Sequence, residues 1–434
     1  QGLSFYNTTA TVSNSTIRNT LSFGVFASNT ATVAIDNTTI EDVDTSCLSI
    51  RNNGLDLDTV TIARCAGAGV DARSDVTIVD SSIADVSSSG IDADDNVTIN
   101  NTSVANAQLF GIRVDGTAAL TSVDVTNATL ACIAFNGDGG SITTSTVDGC
   151  GTDGATMGSN ATITGLTSSN VGDDCIDANG PGVNVSGSTL SNCQQTGVEM
   201  VTGTVDTTTI TDTGSTGIFA SGDTLTVTDS SVTNPGINGI QVTGSLTATG
   251  TSVTNAPLNG IIATVGVTLD YVDVSMTGGR GINVLGGLAA ISNSTVDQST
   301  GTGIYVAHNA TISNSSVSNG GDDGIWVNGT TASTINLTDV SSCGRYGIRA
   351  NPAATVSVLD ITNSNITNNG SWGVFDARLL DGNYVSDNRG FVGADVTNGG
   401  TLDGVRDTTT QQVDDADQIM NAQASAVSGT GPTP

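Results

Sequence analysis

There is no lysine in this chain of 434 residues, and only two glutamates, Glu41 and Glu199. The eleven basic residues are all arginine and face 42 acidic ones, for a net charge of −31. Such a surface repels nucleic acid and anionic membrane. It suits high salt or abundant divalent cations, so a halophilic or marine setting is expected, although Asp is also favoured simply because it fits tight turns. Aromatic residues make up 3% of the chain, too few for an ordinary globular core of this length. The one histidine, His308, excludes a histidine-based metal knuckle. No apolar run is long enough for a transmembrane helix, which excludes membrane insertion of that kind, and no signal peptide is visible. No Gly-Gly-x-Gly-x-Asp nonapeptide is present, which excludes the calcium-roll code. Labile Asn-Gly pairs and a scarcity of charged pairs argue against a hyperthermophilic source.

What the chain does have is a period. A tetrad of the form Gly-Ile-x-Val recurs, as in Gly111-Ile112-Arg113-Val114 and Gly303-Ile304-Tyr305-Val306. Its first residue falls at 24, 47, 69, 90, 111, 132, 154, 175, 197, 217, 239, 260, 281, 303, 324, 347 and 373. Fifteen of the sixteen intervals are 20–23 residues, the mark of a solenoid. The anchor is Gly in fourteen coils and Cys in three, and the next residue is apolar in all seventeen. The residue after that is mixed (Asp71, Asp92, Arg113, Glu199, Tyr305, Trp326), so alternate side chains face in and out as on a strand. A second strand follows, as in Val76-Thr77-Ile78. A third carries an Asn/Asp-Ser/Thr-Ser/Thr-Val/Ile signature, as in Asn14-Ser15-Thr16-Ile17 and Asn314-Ser315-Ser316-Val317. Three short strands per coil, separated by turn residues, predict an all-β fold: a right-handed parallel β-helix solenoid of about 17–18 coils. At roughly 4.8 Å per coil the expected length is about 80 Å.

This pattern resembles the right-handed parallel β-helix superfamily, the pectate-lyase-like proteins of secreted and surface origin. The resemblance spans roughly residues 7–405 and implies the fold more than any one activity. The expected domains are a β-helix over 1–405, a capping segment over 406–427 with helical character at 411–427, and a Thr/Pro linker or tail at 428–434. The chain reads as a processed protein or a piece of a longer one.

Six of the seven cysteines form three pairs 18 residues apart: Cys47/Cys65, Cys132/Cys150 and Cys175/Cys193. In each, the first occupies the anchor and the second lies four residues before the next anchor, so a tight turn brings them within disulfide range. Three disulfides between neighbouring coils are expected, each contributing about 3 kcal/mol in the chain-entropy model. Cys343 occupies the second of these columns opposite Gly324 and should be a buried free thiol. Together with sixteen Asn-x-Ser/Thr sequons, these cysteines favour an extracellular, glycosylated surface protein. The glycosylation candidates include Asn7, Asn14, Asn96, Asn127, Asn160, Asn293, Asn336 and Asn365.

Three places invite chemistry. Asp71 and Asp92 fall one coil apart with Asp94 nearby; a calcium ion between them is one reading and a screened acidic face the other. Further on, Gly172-Asp173-Asp174-Cys175-Ile176 resembles the Gly-Asp-Asp-Cys motif of the polygalacturonases. Thr152-Asp153-Gly154 resembles their Asn-Thr-Asp-Gly motif, with Gly151 in place of Asn. The resemblance implies that Asp153, Asp173 and Asp174 supply a general acid and a water-activating base, as in an inverting glycosidase. The family's Gly-His-Gly motif is replaced by Gln195-Thr196-Gly197, and its Arg-x-Lys cannot occur without lysine. Asp153 and Asp174 also simply occupy the column before the anchor, as Asp323 does. The third place is a run of aromatics: Tyr305 and Trp326 at outward positions, Tyr346 and Trp372 just before their anchors, and Phe375 following. Tyr305 and Trp326 should stack one coil apart and offer a face for sugar rings or a protein partner.

The leading expectation is an extracellular structural or adhesive protein, a rigid acidic β-helical rod that assembles into a filament or layer or meets other surface proteins. The incomplete catalytic set disfavours an enzyme. The alternatives are a polygalacturonase-like glycoside hydrolase using the three aspartates, and a non-catalytic carbohydrate-binding β-helix using the aromatics. No cofactor beyond calcium is implied.

Overall fold

The computed structural model describes residues 2–388, apart from 30–31, 52–53, 74, 352–358, 376, 380–382 and 387. The segments expected at 406–427 and 428–434 lie outside the described residues, as does the expected helix end at 405. The chain divides into two compact units, Gln1–Phe219 and Ala220–Pro434. Both are built from the same coil, and among the described residues every assigned element is a strand.

A coil of the second unit shows the construction. Its three strands are Ile304–Val306, Asn309–Ser313 and Ser316–Ser318. Each pairs in parallel with its counterpart one coil on: Ile304 with Ile325, Tyr305 with Trp326, Ile312 with Ile335 and Val317 with Val340. Like residues therefore stack on like. Ile304, Val306, Ala310, Ile312 and Val317 are all buried, and the first unit repeats the pattern with Ile91, Ala93, Val97, Ile99 and Val104. Each buried Ile or Val stabilises the stack by roughly 1.5–3 kcal/mol. The largest fully buried side chain is Phe135, so the narrow interior needs little else that is aromatic.

The corners explain the Asn-Ser-Thr signature. The residue ending the second strand's turn adopts a left-handed backbone, as at Asn14 (φ 49°), Asn37 (φ 40°), Asn101 (φ 47°), Asn293 (φ 50°) and Asn314 (φ 47°). A second left-handed position follows the third strand, at Asn106 (φ 55°), Asn127 (φ 55°), Asn192 (φ 53°) and Asn255 (φ 60°). Asn and Asp tolerate this conformation better than other side-chain-bearing residues. The asparagines also bond one another up the stack: the Asn37 amide donates to Asn14 Oδ1 (2.7 Å), Asn127 to Asn106 (3.1 Å) and Asn314 to Asn293 (2.6 Å). After the first corner comes a buried Ser or Thr whose hydroxyl donates to the carbonyl two residues back and accepts the N–H of the preceding coil. Ser294 does this with Ser292 O (2.6 Å) and Val272 N (3.1 Å). Backbone groups that turn away from the sheet are thereby satisfied.

The anchor must be small because the next coil lies against it. A Cβ at Gly303 would run into Val317 Cγ1 and come within 2.7 Å of the Gly324 carbonyl oxygen. Where the anchor is Cys, its sulfur is bonded instead: Cys47–Cys65, Cys132–Cys150 and Cys175–Cys193 are disulfides with Cα separations of 5.5, 5.4 and 5.3 Å. Each closes one coil on itself rather than joining neighbouring coils as expected, because the corner before the next anchor folds back onto the anchor of its own coil. Cys343 is free and buried, and burial pushes its thiol up to about 11.

A Cβ on Gly324 would lie 2.9 Å from Cys343 Sγ, the reach of a disulfide. Val340 also crowds that Cβ, and Val147 occupies the equivalent position beside Cys132. Gly324→Cys is therefore expected to form a fourth bridge, eliminating the thiol titratable in denaturant. It should raise unfolding stability by about 3 kcal/mol in the chain-entropy model. Two free thiols in the unfolded variant would refute this.

Candidate functional site

In the first unit the outward column of the first strand runs Asp71, Asp92, Arg113, Ala134, Thr156, Asp177, Glu199. Asp71 and Asp92 do pair in register, as expected. Arginines flank them: Arg51 lies 3.2 Å from Asp71, Arg113 lies 3.3 Å from Asp92, and Arg73 lies 3.9 Å from Asp94. Burial still pushes the Asp92 carboxyl above the usual range, with Arg113 acting against it.

Four coils on, Asp153, Asp173 and Asp174 come together with one carboxylate oxygen from each within 4.8 Å of the others. Local structure places them. Asp153 and Asp174 precede their anchors, where the backbone N–H of the next coil points at them. Asp153 Oδ1 accepts from Asp174 N (3.2 Å), and Asp174 Oδ1 accepts from Thr196 N (2.6 Å). Asp153 Oδ2 also accepts from the Thr156 hydroxyl (3.2 Å). This capping role belongs to the column as a whole. Asn238 Oδ1 accepts from Asn259 N (3.0 Å), and Asp323 Oδ1 accepts from Tyr346 N (3.3 Å).

What separates Asp174 from Asp323 is charge. Asp323 is 0% exposed and is held by Arg345 through two bonds of 2.9 and 3.0 Å, with Arg349 at 3.4 Å. Among the described residues, no ion pair reaches Asp153, Asp173 or Asp174. Asp174 is 8% exposed, and burial pushes its carboxyl up to about 7, with Glu199, Asp173 and Asp153 adding repulsion against the Thr196 N–H. Burial and then Asp153 raise Asp177 to about 6, and burial also raises Asp153.

Asp177 and Glu199 thus extend the cluster beyond the three aspartates of the motif. Their signal in the sequence was the outward column, in which the register pairs them one coil apart. The arrangement can do two things. It can hold a hard cation on Asp153, Asp173 and Asp174, whose oxygens fit the size of calcium. It can also pair a protonated acid with an ionised neighbour.

The aromatics of the second unit are gathered as the sequence predicted, with different contacts. Tyr305 and Trp326 are paired in register, yet their rings meet edge to face at 5.0 Å and 76° rather than stacking flat. Tyr346 stacks on Phe375 at 5.0 Å, and Trp372 lies 5.0 Å from Phe375. All five rings are half-buried. Arginine, which the sequence reading left out of this group, completes it: Arg280 lies 3.8 Å over the Tyr305 ring, Arg349 4.2 Å over Trp326 and Arg345 4.8 Å over Tyr346.

Several glycosylation candidates are engaged in the stack. The amides of Asn96, Asn127, Asn293 and Asn365 donate to Asp75, Asn106, Asp270 and Asp339, and Asn336 Oδ1 accepts from Thr362. Asn7, Asn14 and Asn160 sit at left-handed positions (φ 53°, 49° and 55°).

A family model described as a right handed beta helix region matches residues 1–130, 110–256 and 245–408. None of the curated proteins compared with the chain matches it. Among solved structures, the N-terminal fragment of bacteriophage Phi29 gene product 12 is 13% identical, with 91% of this chain and 86% of that one covered and a TM-score of 0.38. Tailspike protein 3 of bacteriophage CBA120 is 9% identical, with 88% of this chain covered and a TM-score of 0.32; the chain spans 55% of that protein. The catalytic unit of an α-1,3-glucanase from Streptomyces thermodiastaticus is 13% identical, with 86% and 62% covered and a TM-score of 0.27. These likenesses concern the fold alone.

The raised carboxyl of Asp174 sets the sign of a pH effect. Its folded pKa lies above the unfolded value of 3.8, so its contribution to stability is full below pH 3.8 and is lost as pH rises through about 7. Asp174→Asn keeps the acceptor for Thr196 N–H and removes the charge. It should raise stability at pH 8 by on the order of 1 kcal/mol and leave stability at pH 4 unchanged. Denaturant titrations at the two pH values check this; equal changes at both would contradict it.

Proposed function

The chain belongs to the right-handed β-helix family, and on that premise we propose that it is an extracellular glycan-binding protein whose binding face is the aromatic column of the second unit. The scaffold fixes no chemistry of its own, so function falls to whichever column departs from the repeat. One observation carries the reading. In a chain with 3% aromatics, both tryptophans lie on or beside the first-strand face two coils apart, in contact with Tyr305, Tyr346 and Phe375. Half-buried rings held by their neighbours offer apolar area at little entropic cost, which suits the faces of pyranose rings. Three disulfides support an oxidising, extracellular setting. Among the described residues no helix is long and apolar enough to cross a membrane. Adhesion, in this reading, is attachment to glycan. Assembly into a filament has no observation behind it among the described residues and is not proposed.

A second reading is favoured by one feature of the first unit. Asp174, whose carboxyl burial raises to about 7, has an oxygen within 4.8 Å of one on Asp173, which puts two carboxyl groups within reach of one bond. Hydrolysis of a glycosidic bond is the reaction this pair would serve.

The two readings separate experimentally. Affinity electrophoresis through a panel of soluble polysaccharides should show retardation that Trp326→Ala reduces about tenfold or more. Reducing-end release from the same panel tests catalysis. Release that Asp174→Asn abolishes would make the second reading the function, and retardation unaffected by Trp326→Ala would remove the aromatic face from the first.

A further inference from the structure

We infer that the glycan is anionic, and that Arg280 and Arg349 select it. This rests on the glycan reading above and adds the charge of the ligand.

The first-strand faces of the two units carry opposite chemistry. In the first unit the outward column holds Asp71, Asp92, Asp177 and Glu199. In the second it reads Gln241, Ile262, Asn283, Tyr305, Trp326, Arg349 and Phe375, without one carboxylate. In a protein of net charge −31, an uninterrupted stretch free of acid is unusual; Arg349 occupies it and Arg280 lies beside it. Arg280 stands one residue before its anchor, lies 3.8 Å over the Tyr305 ring and donates to Asn283 Oδ1 at 2.9 Å. Among the described residues it has no ion pair with a carboxylate. Its guanidinium is therefore positioned by a neutral amide and a ring, with its charge unspent.

Arg349 is held differently. One nitrogen reaches Asp323 Oδ2 at 3.4 Å, while its plane lies 4.2 Å over Trp326. Two donors beneath this face, Trp326 Nε1 and Arg349 Nε, are buried without a hydrogen-bond acceptor, so what the face offers a ligand is the Arg280 guanidinium and the part of Arg349 that stays exposed. A carboxylate or sulfate on a sugar ring supplies negative charge and acceptors for those groups. Read along the coils, Arg280, Tyr305, Trp326, Arg349 and Phe375 place a planar group on each of five consecutive coils, about 4.8 Å apart. A polysaccharide chain laid along that column meets guanidinium and aromatic groups in turn. A neutral glycan would use only the rings.

The test uses dextran, dextran sulfate and polygalacturonate, with the full chain as the analyte. The last two separate sulfate from carboxylate as the recognised anion. Retention by either anionic polymer and not by dextran is expected. Arg280→Gln, which preserves a donor to Asn283, should weaken anionic binding about tenfold, the effect of losing one charge-assisted bond. Arg280→Lys should recover part of that affinity, since it restores the charge without the planar stack. Circular dichroism and thiol content of each variant report the fold independently. Equal binding of dextran and dextran sulfate, or anionic binding untouched by Arg280→Gln, overturns the inference and leaves the glycan reading standing. No binding to any of the three sinks both.

Discussion

In a parallel stack held in register, the nearest neighbour of any residue is its own counterpart about 21 residues along the chain. That constraint decides which side chains the columns can hold. Asparagine complements itself, because its amide donates to the carbonyl of the asparagine one coil away, as Asn127 does to Asn106. Serine and threonine complement themselves through the hydroxyl that donates within its own coil and accepts from the coil before. Aspartate does not, because it only accepts. Its stable places are therefore beneath an asparagine, as Asp80 lies beneath Asn101 (2.6 Å), or beside an arginine, as Asp323 lies beside Arg345. Acids gathered with no arginine among them, as Asp153 and Asp174 in one column and Asp177 and Glu199 in the next, are the exception that the rest of the fold makes visible.

The same constraint governs how much could be read from the sequence. Period and inward columns were legible because burial repeats every coil: Ile91, Ile112 and Ile133 are all fully buried, as their spacing required. The three disulfides were legible for the same reason, each being an anchor facing the small column of the next corner. Charge compensation was not. Arg113 reaches Asp92 across one coil boundary, and also Asp115 two residues along its own coil, so no single spacing announces the pair. The flat stacking expected of Tyr305 and Trp326 failed because register fixes Cα positions and leaves ring torsions free, so the rings took the edge-to-face arrangement. The arginines over those rings escaped notice because they come from two different columns.

The sequons show how a structural signature can imitate a functional one. A left-handed asparagine, then a ladder serine or threonine, then a strand threonine is the corner itself, and it spells Asn-Ser-Thr at 14–16 and 293–295. At Asn293 the amide donates to Asp270 at 2.6 Å, so a glycan there would replace a bond of the stack. A sequon count in this chain therefore counts corners along with candidate attachment sites.

The self-complementary corner also bears on how such a chain can change length over time. A coil whose asparagine and serine match those above and below can be duplicated or deleted as a block. Each new junction then remakes the bonds of the old one. Extension by whole coils is nearly free of strain, whereas a shift of one or two residues misaligns every ladder downstream. Features that join two particular coils, such as the Arg349 to Asp323 contact, are inherited only when both partners travel together, whereas the Cys132–Cys150 bridge closes within one coil and moves with it. Variation in the number of coils should therefore concentrate in the stretches between these paired features.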